Sequence, residues 1–183
     1  GAAQLRPGVV ARRVDGGWHL NGRKCFISGG DMARSLTVFA ALEGEGMASW
    51  TCFLVRSDMP GFRAARTELK MGMRASGAAE LEFDNVFVPD SHVLGGLRKG
   101  WALNRQTLNL SRLPVAAMGV GFAQAATDIA LDYACRTTLG GRALVHDQAV
   151  QLCLAQMLAE TSTIRALVWQ GARTWAPRQS TAS

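Results

Sequence analysis

The sequence has no apolar run of about 18 residues, the length that predicts a membrane-spanning helix. Its first seven residues lack the apolar core of a secretory signal peptide. They also lack an initiator methionine, so we expect the chain to be a piece of a longer protein. Together these absences predict a cytoplasmic protein with no membrane partner.

No Cys-x-x-Cys pair occurs among the four cysteines, Cys25, Cys52, Cys135 and Cys153. The usual zinc-binding spacings are therefore absent, and no metal site is predicted. Cys25 and Cys52 lie in apolar segments with strand character. We expect both to be free, buried thiols in a reducing compartment.

Lysine is scarce, since the chain has 17 Arg and 3 Lys in a net charge of +6. Residues 1–95 carry 11 basic and 10 acidic side chains, whereas residues 96–183 carry 9 basic and 4 acidic ones. The basic residues form no run of like charges, which argues against a nucleic-acid partner and favours discrete phosphate contacts in the second half. Solvated helix faces are the plain alternative.

Short β-rich segments separated by turns make up the first half of the sequence. The segment "VVARRVDGGWHL" predicts a hairpin that turns at residues 15–17. Two more strands are predicted by "LTVFAAL" and "WTCFLVR", and "AELEFDNVFVP" predicts a strand that breaks at Asp84-Asn85 and ends at Pro89. Strands without intervening helices favour an antiparallel β-barrel or sandwich domain over residues 1–96.

The apolar period becomes helical after Gly96, over residues 97–183. One helix is predicted from Trp101 to Arg136, with Pro114 kinking it or marking a boundary. A second is predicted from about His146 to Trp175, followed by a frayed tail from Arg178. The predicted apolar stripes are Val120, Ala123, Ala126 and Ala130 on the first helix, and Val150, Cys153, Met157, Ile164 and Leu167 on the second.

Both helices have apolar residues on more than one side, so they are expected to need further helices to cover them. Asp147 suits the positive N-terminal end of the second helix. The fold class predicted from the two halves is α+β, a β-barrel or sandwich followed by part of an antiparallel helical bundle.

Four segments follow one another along the chain: "GGWHLNGRKCFISGG", "KMGMRASGAAELEFDNVFVPDSHVLG", "LRKGWALNRQTLNLSRLPVAAMGVGFAQAA" and "YACRTTLGGRALVHDQAVQ". In sequence and in order they resemble the acyl-CoA dehydrogenase family. The resemblance covers almost the whole chain. It implies a middle β-barrel domain that ends near Gly96 and the start of a C-terminal helical bundle. It also implies that an N-terminal helical domain, the first barrel strand and the last helices lie outside this sequence.

The same resemblance implies an FAD site at the segment "GRKCFISGG". In the family an aromatic residue of this segment packs on the flavin ring and a hydroxyl lies near flavin N5. Phe26, Ile27 and Ser28 stand here where Trp-Ile-Thr is usual. A flat apolar ring favours an aromatic neighbour, and the double glycine that follows lets the backbone turn away. The alternative for Ser28 is an ordinary hydroxyl at a strand end.

Arg136, Thr138 and Gln148 resemble the family residues that hold the FAD diphosphate of a neighbouring subunit. A guanidinium fork suits a diphosphate, and a hydroxyl can satisfy a further oxygen. Leu139 replaces the usual Phe, and the loop is one residue longer than its common form. The resemblance implies a homodimer or homotetramer with FAD at the subunit interface. For Arg136 the alternative is a charge that complements the end of a helix.

The segment "NLSR" contains Asn109, Ser111 and Arg112, which resemble substrate-binding positions for acyl-CoA. Some members carry the catalytic glutamate at position 111, and others carry it on a late helix. Because a serine cannot abstract the α-proton, we expect no catalytic base in this sequence. The implied function is α,β-dehydrogenation of an acyl-CoA to the 2-enoyl-CoA in bacterial fatty acid metabolism, with an electron-transfer flavoprotein as acceptor. The chain alone is expected to be inactive.

Two other hypotheses stay open. One is a flavin monooxygenase or oxidase of the same fold, which also lacks the glutamate. The other is a non-catalytic partner subunit or a nucleic-acid-binding relative. A glutamate on the late helices would favour the dehydrogenase, and colourless pure protein would favour a non-catalytic role.

Overall fold

The computed structural model describes residues 8–179, which form nine strands and two long helices. The strands are β1 (Val9–Val14), β2 (Gly17–Ser28), β3 (Ser35–Leu42), β4 (Thr51–Arg56), β5 (Phe62–Thr67), β6 (Ala78–Pro89), β7 (Val93–Leu94), β8 (Thr138–Leu139) and β9 (Arg142–Ala143). The helices are α1 (Gly100–Arg136) and α2 (Gln148–Gln179). Strands followed by helices confirm the predicted α+β class.

Seven strands form one sheet in the order β5-β6-β2-β1-β3-β4-β7. β1 and β2 form the predicted hairpin, with register from Val9↔Gly22 to Val14↔Gly17. The pairings are antiparallel except that β1 meets β3 in parallel through Val10↔Ala41 and Ala11↔Leu42. This parallel contact was not predicted, because pairing between strands distant in sequence leaves no local pattern.

Alternation of side chains along the strands places one apolar face in a core. On β1, Val9 and Ala11 are fully buried, whereas Arg12 and Arg13 are exposed. Phe53 on β4 is fully buried and meets Trp18 edge-to-face, with 5.9 Å between ring centroids. The core also contains Leu20, Val38, Val55, Leu81, Phe83, Val86 and Val88.

A β-bulge replaces the strand break that the sequence predicted in β6. The register shifts between Leu20/Val86 and Gly22/Phe83, and the strand continues to Pro89. At the bulge Asn85 has a φ of 51°. Its backbone N–H donates to Asn21 Oδ1 at 2.9 Å, so a side chain satisfies the group that leaves the ladder.

Strand β5 was missed in the sequence. Its residues, "FRAART", include two arginines and lack the apolar alternation of a half-buried strand. It pairs with β6 from Phe62↔Phe83 to Thr67↔Ala79. The Phe62 and Phe83 rings meet edge-to-face at 5.4 Å, which gives this strand an aromatic contact with β6.

α1 runs unbroken through Pro114, so the proline does not mark a boundary. Within residues 107–179 the two helices are antiparallel, because Arg165 donates to Gln124 and Gly171 lies beside Leu113. The structure divides into two compact units between Gln106 and Thr107. The boundary predicted at Gly96 lies earlier in the chain, between β7 and α1.

The buried seam of the helices shares only Val120 with the predicted stripes. It contains Val120, Thr127 and Ala134 on α1, and Leu154 and Thr161 on α2, all spaced by seven residues along each helix. A seven-residue spacing is typical of a narrow helix–helix seam. The predicted Ile164 and Leu167 are instead 45% and 61% exposed. The rest of the seam was not predicted because it includes threonines, which are polar in the sequence. The Thr127 hydroxyl is satisfied within its own helix, because it donates to the Ala123 carbonyl at 2.8 Å.

The remaining apolar side chains of the two helices are largely exposed. They include Val115, Met118, Phe122, Ile129, Leu152, Leu158 and Trp169. α1 also has the length and composition of a membrane span, with a mean hydropathy of 1.2 over an 18-residue window. A helix inside a larger bundle has the same composition, and this is the interpretation that the sequence favours.

One local prediction is wrong. Cys52 is buried as expected, but Cys25 is exposed, together with Cys135 and Cys153. The tail predicted to begin at Arg178 is helical at 178–179, and its other residues, 180–183, lie outside the described part of the chain.

Candidate functional site

A β-bulge in β2 contains Phe26. β2 pairs with β6 through Lys24↔Leu81 and Ile27↔Ala79, so two residues of β2, Cys25 and Phe26, oppose one residue of β6. Phe26 has a φ of 56°, a conformation that costs a bulky residue about 1–3 kcal/mol. Its side chain is nevertheless 72% exposed. The fold gains neither burial nor easy backbone geometry from this phenylalanine.

Ser28 ends β2, and the double glycine closes the turn after it. Gly29 has a φ of 64° and donates its N–H to the Gly77 carbonyl at 2.9 Å. Gly30 is buried, and a Cβ there would lie 3.0 Å from a Leu81 methyl carbon. The Ser28 hydroxyl is thus presented at the end of a fixed turn, on an exposed residue.

Ile27 differs from its two neighbours because it packs against the core cluster of the sheet. The three residues of the predicted flavin segment therefore divide into one anchor and two exposed side chains. Phe26 and Ser28 are available to a ligand, and Ile27 holds the strand between them in place.

Arg136, Thr138 and Gln148 lie at the connection between the helices, and all three are exposed. Arg136 is the last residue of α1, Thr138 begins the β8–β9 hairpin, and Gln148 is the first residue of α2. Gly140 and Gly141, with φ values of 59° and 78°, allow the hairpin to turn. Local folding therefore brings these three residues to one connection.

Charge at this connection suits an anion. Arg136 pairs with Asp132 one helical turn earlier at 2.7 Å, with 79% of its side chain exposed. Such an exposed i,i+4 pair contributes only about 0.3–0.5 kcal/mol, so the guanidinium can be recruited by a stronger acceptor. Asp147 is occupied as a helix cap, because its Oδ1 accepts the Ala149 N–H at 2.8 Å. A guanidinium, a hydroxyl and an amide together supply the donors that a diphosphate needs.

The predicted substrate residues lie elsewhere on α1. Asn109, Ser111 and Arg112 are exposed, and Ser111 Oγ donates to the Leu108 carbonyl at 3.0 Å. At 1.5 Å per residue, Arg112 and Arg136 are about 36 Å apart along the helix. The structure therefore separates the predicted acyl-CoA residues from the predicted diphosphate residues.

Each acidic side chain in residues 97–179 makes a local contact. Asp128 accepts from Gln124 Nε2 at 2.6 Å, Asp132 pairs with Arg136 at 2.7 Å, Asp147 accepts from the Ala149 N–H at 2.8 Å and Glu160 accepts from Gln156 Nε2 at 2.8 Å. None of these four carboxylates is placed by a tertiary contact, as a general base would be. Among the described residues no group of three or more His, Cys, Asp or Glu could hold a metal ion.

Sequence reasoning missed the environment of Lys24. This residue lies in β2, half-buried, with its Nζ 5.8 Å from the Trp50 ring centroid. Burial lowers the pKa of the Lys24 ammonium below its ordinary value. The available signal was weak: a single lysine in a strand that continues as Cys-Phe-Ile.

Comparison with known proteins extends over both halves of the chain. The acyl-CoA dehydrogenase middle-domain model matches residues 2–86, and the acyl-CoA dehydrogenase C-terminal-domain model matches residues 98–181. The mitochondrial isovaleryl-CoA dehydrogenase of Oryza sativa subsp. japonica is 37% identical over 89% of this chain and 40% of that protein.

Solved structures of acyl-CoA dehydrogenases share the fold of this chain. Butyryl-CoA dehydrogenase from Megasphaera elsdenii has a TM-score of 0.84 at 34% identity, over 88% of this chain and 43% of that one. An acyl-CoA dehydrogenase from Bacillus anthracis, solved in complex with FAD, has a TM-score of 0.89 at 28% identity, over 96% of this chain and 30% of that one. The chain spans less than half the length of these relatives. With two domain models in order and a shared fold, it belongs to the acyl-CoA dehydrogenase family.

Proposed function

We propose that this chain supplies flavin-binding and acyl-CoA-binding residues to an FAD-dependent acyl-CoA dehydrogenase, which converts an acyl-CoA to the 2-enoyl-CoA. The observation that carries the proposal is Phe26, a strained aromatic residue held out of the core. A protein gains nothing in stability from such a residue, and strained positions of this kind cluster at ligand sites.

Phe26 and Ser28 form the flavin contact in this proposal. The Phe26 ring offers an apolar face to the flat cofactor, and the Ser28 hydroxyl offers a hydrogen bond at its edge. FAD, when bound, supplies the acceptor for the hydride that leaves the β-carbon of the substrate. Ile27 keeps the two contacts in register because it is anchored in the sheet core.

Arg136, Thr138 and Gln148 hold the diphosphate in this proposal. The long separation between Arg136 and Arg112 on α1 is expected if the two ends of the helix serve different ligands. It also suits a homodimer or homotetramer in which Arg136 reaches the FAD of a neighbouring subunit. The family relationship supports this arrangement, and the exposed, weakly paired guanidinium permits it.

Asn109 and Arg112 contact the acyl-CoA in this proposal, with Ser111 beside them. A serine at position 111 can donate or accept a hydrogen bond but cannot take the α-proton at neutral pH. The carboxylate that does so therefore comes from a segment beyond this chain. The 183-residue chain is then inactive alone, and its electrons pass, in the assembled cytoplasmic enzyme, to an electron-transfer flavoprotein.

Arg136→Ala in the full-length natural protein tests the diphosphate site. Loss of a charged hydrogen bond should weaken FAD binding by about 1.5–3 kcal/mol, measured by flavin fluorescence during equilibrium dialysis. Arg173→Ala removes the same charge from an exposed position on α2 and is the control. Equal FAD retention in wild type and Arg136→Ala would refute the assignment.

Turnover by the isolated chain tests the missing base. The purified 183-residue chain is mixed with FAD, butyryl-CoA and a bleachable electron acceptor, and no bleaching above the free-flavin rate is expected. Faster bleaching would show that a residue within the chain removes the α-proton.

A further inference from the structure

Lys24 lines a small apolar cavity formed by residues of β2, β3 and β6. The cavity has a volume of about 110 Å³ and is formed by Lys24, Ile27, Leu36, Thr37, Val38, Phe39 and Leu81. It lies where β2 and β3 face one another beyond β1. β1 reaches only Gly17–Gly22 of β2 and only Ala41 and Leu42 of β3. Both strands are paired on their other sides, β2 with β6 and β3 with β4.

The charge on Lys24 has no acidic partner in the described structure. Its Nζ is directed towards the Trp50 ring, 5.8 Å from the centroid, and Trp50 stacks on Phe39 at 6.3 Å. Arg23 and Glu82, adjacent in sequence and register, lie on the opposite face of the sheet and pair with each other at 2.8 Å. A cation–π contact compensates only partly for the water that an ammonium loses.

Burial without a carboxylate lowers the pKa of Lys24, so its neutral amine is populated at a lower pH than that of an exposed lysine. The two other lysines of the chain differ. Lys70 donates to the Ser76 carbonyl, and Lys99 is exposed. Lys24 is therefore the lysine whose setting favours nucleophilic chemistry.

We propose that Lys24 is a site of acylation by acyl-CoA thioesters. The neutral Nζ attacks the thioester carbonyl carbon, the N–C bond forms and the C–S bond breaks. The proton lost from nitrogen passes to the departing thiolate, which leaves as coenzyme A. No oxidant, metal or flavin takes part, so the reaction is independent of the proposed dehydrogenation.

The product fits the site better than the ammonium does. An amide carries no charge, so acylation removes both the desolvation cost and the cation–π contact. A cavity of about 110 Å³ accepts a short acyl group and not a long chain. The extent of acylation therefore depends on the concentration of short-chain acyl-CoA. The modified side chain lies next to the bulge that contains Phe26.

The three lysines make a direct test possible. The native 183-residue chain is incubated with acetyl-CoA, and acetylation of Lys24, Lys70 and Lys99 is followed by peptide mass spectrometry from pH 6.5 to 9. Acetyl-CoA has no β-carbon and cannot be dehydrogenated, so the outcome does not depend on the proposed function. We expect Lys24 to react at least threefold faster than Lys99 at pH 7.5, with its rate reaching a plateau at lower pH.

Two controls separate the site from general lysine reactivity. In denaturant the rate advantage of Lys24 should disappear. Thr37→Asp places a carboxylate in the cavity lining, which should stabilise the ammonium and lower the Lys24 rate at least threefold while Lys99 is unchanged. Reaction of native Lys24 no faster than Lys99, including no reaction, would overturn the proposal whether or not the variant folds. So would an unchanged Lys24 rate in folded Thr37→Asp.

Discussion

The N–H of Gly100 donates to the carbonyl oxygen of Trp50 at 2.7 Å, and this contact joins the first residue of α1 to the residue before β4. A Cβ at Gly100 would lie 2.8 Å from both the carbonyl carbon and oxygen of Trp50. The rings of Trp50 and Trp101 then meet edge-to-face at 5.7 Å. The start of α1 is thus fixed to the sheet by backbone contact that only glycine allows.

Gly100→Ala should destabilise the chain by about 1–3 kcal/mol, because the backbone must shift to relieve the clash. Gly119→Ala is the matched control, since a Cβ at Gly119 meets nothing within 4 Å. In mid-helix that change should stabilise by up to about 1 kcal/mol. Urea unfolding followed by circular dichroism measures both. Equal stabilities for the two variants would contradict the close contact.

The helical seam predicts a contrast between two leucines two residues apart. Leu154 is 7% exposed, whereas Leu152 is 65% exposed. Leu154→Ala should cost about 2–5 kcal/mol, the range for a core leucine. Leu152→Ala should change the stability by no more than about 0.5 kcal/mol, as expected for a surface position. Thermal unfolding of the two variants gives the comparison, and a larger loss for Leu152→Ala would place the seam on the wrong face.

Asp90 predicts a stability change at acid pH. Its pKa is lowered first by the hydrogen bond from Arg13, with a smaller part from Trp18 Nε1, which donates to Oδ1 at 3.0 Å. A carboxyl whose folded pKa lies below its unfolded value of about 3.9 stabilises above that value, and this contribution is lost as the pH falls through the folded pKa.

Asp90→Asn should therefore destabilise the protein at pH 7. The difference in free energy of unfolding between variant and wild type should become smaller as the pH falls below about 4. Denaturant unfolding of both proteins between pH 2.5 and pH 7 measures this difference. A difference in free energy of unfolding that stays constant over this range would show that the carboxylate charge is not what stabilises the contact.

The first hairpin and the position of Asp147 at the N-terminal end of the second helix could be predicted because each leaves a local signal. Two glycines at residues 15–17 indicate the turn, and apolar residues at helical spacing follow Asp147. β5 could not be predicted, because its residues lack apolar alternation and the strand is defined by its pairing with β6. Pairing partners distant in sequence leave no trace in local composition.

At the candidate site, the identity of the residues could be predicted but their setting could not. The sequence indicated Phe26 and Ser28 by resemblance, and gave no sign of the bulge or of the positive φ at Phe26. A bulge is a register event between β2 and β6, which depends on both strands. The helical seam was misplaced for a related reason: a buried threonine that bonds its own helix reads as polar in sequence.

We propose that Phe26 is kept for the flavin and not for the fold. Phe26→Gly relieves a φ of 56° and removes an exposed ring, so the apoprotein should be as stable as wild type or up to about 1 kcal/mol more stable. Phe83→Ala, which truncates a ring that is 4% exposed, is the comparison and should lose about 3–5 kcal/mol.

The decisive measurement is an FAD titration of the full-length natural protein and its Phe26→Gly variant, with unfolding of both apoproteins measured in parallel. We predict that the variant keeps its stability and binds FAD at least about tenfold more weakly, a loss of about 1.4 kcal/mol. Unchanged FAD affinity, or a loss of apoprotein stability as large as that of Phe83→Ala, would contradict the account.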